Sequence, residues 1–158
     1  MPSFKDNKGR EWPVVITIAA VKRVRELVKV DLLNITDGDP PLMTRLSSDL
    51  SLVCDVGFAL VQPVAAERSV SDTEFGESLG GDAIAGLYEG LWEALRLFFQ
   101  SLQRNDLVKA IEKQQAVVKA AVNLAAVRIE GLSESDILTA SGLMSTTAPG
   151  FSALTPAP

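Results

Sequence analysis

The chain has 158 residues, 47% of them hydrophobic, a net charge of −5 and no histidine. Such a length and composition suit one globular domain and exclude the disordered class, which lacks the apolar content for a core. Without histidine, a Ser-His-Asp or Cys-His nucleophile and a His-containing zinc site are excluded, and acid–base work would fall to carboxylates or lysines.

Charge is distributed unevenly. Residues 1–35 balance at +3, residues 36–102 at −8 and residues 103–158 at zero. An acidic middle repels phosphate backbones, so nucleic acid is not the expected partner of the whole surface, although the basic N-terminal block is able to act locally. The single cysteine, Cys54, lies in LSLVCDVGFALV beside Asp55. It has no disulfide partner and no neighbour to lower its pKa, which points to a buried structural thiol. No uninterrupted apolar run reaches the ~18 residues that cross a bilayer. The polar opening MPSFKDNKGREW lacks the apolar segment of a secretory signal, so a cytoplasmic site is expected.

Phe4–Asp6 and Glu11–Ile16 read as two strands joined by Asn7-Lys8-Gly9, a hairpin within residues 3–16. Pro13 cannot donate to a ladder, so the second strand is an edge or ends early. Phe4, Trp12, Val14 and Ile16 are expected to lie against helices, because a two-stranded hairpin is marginal alone. Thr17 suits the N-cap of a first helix over Ile18–Val28. Its apolar side is Ile18, Val21, Val24 and Leu27 or Val28, and Lys22, Arg25 and Lys29 line the other side with Arg23 alongside. Gly38 and two prolines in TDGDPP then break the chain.

From Leu42 to Gln62 the period is again helical. Ser47, Ser48 and Asp49 interrupt it, giving a short helix and then a longer one, which Pro63 terminates or kinks. Asp49 and Asp55 stand without His or Cys partners and make no metal site. Ser71-Asp72-Thr73-Glu74 reads as a capping box opening a helix to about Leu79, with Phe75 as its anchor. Gly80-Gly81 ends it; no lysine follows and no strand precedes, so this is not a phosphate loop.

The longest periodic stretch is Asp82–Gln103. Ile84, Leu87, Tyr88, Leu91, Trp92, Leu95, Phe98, Phe99 and Leu102 share one face of a helix, the expected centre of the core. Asn105 or Asp106 then caps a last helix to about Ile129, striped by Leu107, Ile111, Val118, Val122, Ala125 and Ile129. Gln114 and Gln115 dilute that stripe, which favours a partner surface over a sealed core. Its small residues permit close helix approach within the chain or between subunits. The end, STTAPGFSALTPAP, is expected to be mobile. The expected fold is therefore mainly α, five to six helices with a small N-terminal hairpin, over residues 1–144, followed by a flexible tail, 145–158.

Two segments together resemble the tail assembly chaperones of long-tailed bacteriophages. FKDNKGREWPVVITIAAVKRVRELVKVDLL is similar to that family's opening, where a D-x-x-G-R-x-W hairpin leads into a v-K-R-v-R helix and then V-D-L. LSSDLSLVCDVGFALVQPVAAERSVSDTEFGESLGGDAIAGLYEGLWEALRLFF continues the likeness through S-D-x-x-F and a G-D-A-I helix ending in two phenylalanines. The resemblance covers residues 4–100 and consists of packing patterns. It implies a non-enzymatic protein without cofactor that holds the tape-measure protein in the host cell cytoplasm and helps bring tail-tube subunits to it. It also implies oligomers in many members and, in some phages, a frameshifted extension. The candidate partner-binding residues are Lys22, Arg25 and Lys29 on the first helix and Gln114, Val118 and Val122 on the last. Competing readings are a structural protein of the tail or head–tail connector kept in the virion, a small nucleic-acid-binding regulator using Lys22, Arg23, Arg25 and Lys29, and an enzyme. No motif places a pair of titratable groups for the last of these.

Overall fold

The computed structural model describes residues 1–131, with side chains described through Val127. The expected tail, 145–158, and the last part of the expected domain lie outside the described residues. Two strands come first, β1 (Ser3–Lys5) and β2 (Glu11–Pro13). Six helices follow: α1 (Ile18–Val28), α2 (Leu42–Ser48), α3 (Leu50–Glu67), α4 (Asp72–Glu77), α5 (Asp82–Ser101) and α6 (Asn105–Gly131), with a 3₁₀ turn at Leu32–Asn34. The protein is mainly α with a small antiparallel hairpin. It divides into two compact units, one from Met1 to Val117 and one beginning at Val118, so that α6 runs from the first into the second.

In the first unit α5 is the central packing element. Leu87, Leu91, Trp92, Leu95 and Phe99 are all essentially inaccessible, as the 3.6-residue period requires for a helix with one broad apolar face. Leu102, at the end of the expected stripe, instead lies beyond the helix and is 43% exposed. The hairpin pairs Phe4 with Trp12 and packs on α5. Gly86 and Gly90 make this approach possible: a Cβ on either would come within 3.2 Å of Phe4 Cβ or 3.3 Å of Val14 Cγ2. Phe4, Trp12, Val14 and Ile16 are buried as expected. β2 extends as far as Pro13, and one more cross-strand hydrogen bond follows it, from the Val14 N–H to the Pro2 carbonyl at 2.8 Å, so Pro13 occupies a position whose N–H the ladder does not use.

α3 packs against α1, α2 and α5. Asp49 Oδ1 accepts from the Leu52 N–H and separates α2 from α3. Pro63 does not terminate α3, which continues to Glu67. α3 is long and apolar enough by composition to cross a membrane, with a mean hydropathy of 1.4 over 18 residues. Its composition follows from its place in the fold, with Val53, Val56, Ala59 and Val61 sealed in the core. Gly57 brings it close to α5, since a Cβ there would meet Leu87 Cδ1 and Cδ2 at 2.8 Å.

α1 begins at the Thr17 cap, whose Oγ1 accepts from the Ala20 N–H. Its buried side is Ala20, Val21 and Val24, whereas Ile18 and Leu27 are 49% and 54% exposed. The stripe is narrower than the periodicity suggests because α1 covers only one edge of the core. Ser71 caps α4 through the Glu74 N–H. The reciprocal half of the capping box is absent, since the Glu74 carboxylate turns instead to Lys8 and Arg10. α6 includes Asn105 and Asp106 as its first two residues, so neither lies ahead of it as a cap. Asp106 pairs with Arg104 at 2.9 Å, and that hydrogen bond holds its pKa down to about 2.

Candidate functional site

The D-x-x-G-R-x-W residues form a structural corner. The Asp6 side chain is fully buried. Its carboxylate accepts from Trp12 Nε1 at 2.9 Å, from Arg10 Nε at 2.7 Å and from the backbone N–H groups of Lys8 and Arg10. Burial alone would raise the Asp6 pKa, but those hydrogen bonds outweigh it and hold the group below the ordinary carboxylate value. Arg10 also donates to Glu74 Oε1 and Ser78 Oγ, tying the hairpin to α4. Hydrogen bonds from Lys8 and then Arg10 lower the Glu74 pKa. The guanidinium groups of Arg68 and Arg10 lie over the Trp12 ring at 4.7 and 5.6 Å, within cation–π range. Gly9 supplies the positive φ of 78° that closes the loop. Every member of the motif is spent on folding.

On α1, Lys22, Arg25 and Lys29 share a face, as their spacing requires. Lys22 and Lys29 are exposed. Arg25 Nη2 pairs with Asp31 Oδ2 at 3.0 Å. Lys29 is also the helix C-cap, in the left-handed region at φ 65°, with its N–H donating to Arg25 O. Arg23 does not belong to this face. Its guanidinium donates to the carbonyls of Ala59 and Leu60 on α3, and burial there lowers its pKa. The four-cation patch expected from sequence is therefore three cations, one already paired.

On α6, Gln114, Val118 and Val122 recur at every fourth residue and share a stripe. Gln114 is half-buried, with Nε2 donating to Ser47 Oγ at 3.0 Å. Tyr88 Oη donates to Ser47 O at 3.3 Å, so Ser47 links α2 to both α5 and α6. Gln114 is thus a fastener inside the first unit. Val118 is half-buried and Val122 is 60% exposed. The stripe changes character along its length: Leu107 and Ile111 belong to the core, whereas Val117, Leu124 and Val127 are 56%, 54% and 62% exposed. Apart from Lys119 and Asn123, every residue from Ala116 to Val127 is Ala, Val or Leu. Val117 and Val127 lie off the stripe of Leu107 and Ile111, so helical periodicity does not mark them. The signal that finds them is composition, since apolar residues surround the helix there.

Cys54 is half-buried rather than sealed. Desolvation, then the charges of Asp55 and Asp72, push its pKa up, which keeps it a thiol and a poor nucleophile. Among the described residues, no three Cys, Asp or Glu side chains are gathered as a metal ion would need. Compared with known proteins, the chain matches no family model, no curated protein and no solved structure.

Proposed function

We propose that this protein is a non-enzymatic phage tail assembly chaperone, which binds the tape-measure protein in the host cell cytoplasm and helps recruit tail-tube subunits. The observation that carries this reading is the exposed apolar length of α6 around Val117, Val122, Leu124 and Val127. Isolated surface apolar residues need no explanation, but a helix bare over several turns is suited to covering another amphipathic helix. A tape-measure protein is a long helical chain whose apolar stripes aggregate when uncovered. The motif likeness over residues 4–100 points to the same role, and Lys22 and Lys29 would add electrostatic attraction to an acidic stretch of that partner. Self-association through the same α6 surface fits the reading as well.

The test is co-expression with the tape-measure protein of the same phage, followed by affinity capture and sizing. The expected result is a soluble complex, with the tape measure aggregating when expressed alone and the chaperone missing from purified virions. A tape measure that stays insoluble, together with stoichiometric amounts of this protein in virions, overturns the reading in favour of a structural subunit.

A further inference from the structure

A second surface lies within the first unit and does not involve α6. The C-terminal end of α1, the middle of α3 and the start of α4 enclose a cleft of about 320 Å³ lined by Leu27, Val28, Asp55, Phe58, Ala59 and Asp72. Its apolar part is accessible: Leu27 is 54% exposed and Phe58 is half-buried, its inner edge against Phe75 at 5.4 Å between ring centroids. Its acidic part is uncompensated. Neither Asp55 nor Asp72 has an ion-pair partner among the described residues. Arg23, which reaches the Ala59 carbonyl beside the cleft, is already engaged there.

Partial desolvation, then the charges of Asp72 and Asp49, raise the Asp55 pKa, and the neighbouring Cys54 feels the charges of Asp55 and Asp72. Asp72 has a local structural role in the first turn of α4, where a negative charge suits the helix dipole. Asp55, in the middle of α3, has none: among the described residues it caps no helix and forms no ion pair.

We propose that this cleft docks a cationic amphipathic helix of another protein, with an apolar side chain on Leu27 and Phe58 and a lysine or arginine between Asp55 and Asp72. The chemistry of the two halves selects this occupant. An apolar helix without charge leaves the aspartates desolvated and unpaired, and an acidic one is repelled. A Lys or Arg stem lies along apolar surface while its head meets the carboxylates. The overall acidity of residues 36–102 steers such a partner toward this part of the molecule.

The test is selection from a displayed library of helical peptides against the full chain carrying Val122→Ser and Leu124→Ser, so that ligands of the α6 surface do not enrich. Enriched peptides are expected to carry Lys or Arg one turn from Leu, Ile or Phe. A synthetic copy of the best peptide is expected to bind at least about tenfold more weakly to Asp55→Asn/Asp72→Asn, and to lose affinity with added salt. Asp55→Asn alone is expected to weaken binding while thermal stability holds or rises, which separates lost docking from lost folding. Glu67→Gln/Glu89→Gln, which removes two exposed carboxylates elsewhere, is expected to leave affinity unchanged. Failure to enrich any peptide, enrichment without a basic preference, equal binding to Asp55→Asn/Asp72→Asn, or an equal loss in Glu67→Gln/Glu89→Gln would each overturn the proposal. None of these outcomes bears on whether α6 binds a tape measure.

Discussion

Asp6 shows how one buried carboxylate fixes a hairpin. It gathers an indole N–H, a guanidinium and two backbone N–H groups, so Asp6→Asn leaves the Trp12 and Arg10 donors poorly matched in a buried setting. The expected cost is about 2–3 kcal/mol, below the full cost of breaking a buried pair because Arg10 keeps Glu74 and Ser78. Because folding depresses the Asp6 pKa, its contribution is complete above the ordinary carboxylate range and is lost as pH falls through the folded value. Urea titrations from neutral pH down through that range should show a steeper acid loss for the wild type than for Asp6→Asn. Parallel curves would show that Asp6 is not the group responsible. Asp55 has the opposite sign. Its raised pKa means that ionisation disfavours the fold above the carboxylate range, and the penalty disappears as pH falls. Asp55→Asn should therefore stabilise at neutral pH, by no more than a few tenths of a kcal/mol because the group is exposed. Calorimetry at pH 7 and at acid pH checks this, with the gain confined to the neutral sample.

At the scale of elements, close approach is set by glycine. At Gly57→Ala the helix-propensity gain of up to about 1 kcal/mol competes with a 2.8 Å contact to the sealed Leu87 side chain. Overpacking of this kind costs about 1–3 kcal/mol, so a net loss is expected by thermal denaturation, larger for Gly57→Val. A variant as stable as the wild type would show that Leu87 yields freely. The same elements show what the sequence made legible. Thr17, Asp49 and Ser71 mark their helix starts because capping is local chemistry, readable from a residue and its next few neighbours. The α5 stripe was legible because its apolar face is wide enough to override its polar residues. Three features were not: the diversion of Glu74 to Lys8 and Arg10, the docking of Arg23 on α3, and the passage of α3 through Pro63. The first two depend on partners dozens of residues away. The third depends on tertiary packing that holds the helix on both sides of the proline. The candidate site was legible in part, since Val122 lies on the exposed length of α6 while Gln114 is occupied by Ser47.

For the whole molecule, stability and binding are expected to separate. Replacing Val117, Val122, Leu124 and Val127 together by serine removes apolar surface already in contact with water. On the proposed function, tape-measure capture should fall by at least about tenfold. Each exposed site should change stability by no more than about 0.5 kcal/mol apart from its helix propensity. A pull-down beside a melting curve decides it; unchanged capture would rule out this surface of α6 as the binding site. The design of α6 bears on speed as well as affinity. An isolated helix of this length is held back by its first turn, because nucleation fixes several residues for a single hydrogen bond, whereas extension adds one bond per residue. Leu107 and Ile111, locked into the core, provide that first turn permanently. The residues that follow in α6 extend a turn that packing already holds, so a partner meets a helix that does not have to be nucleated.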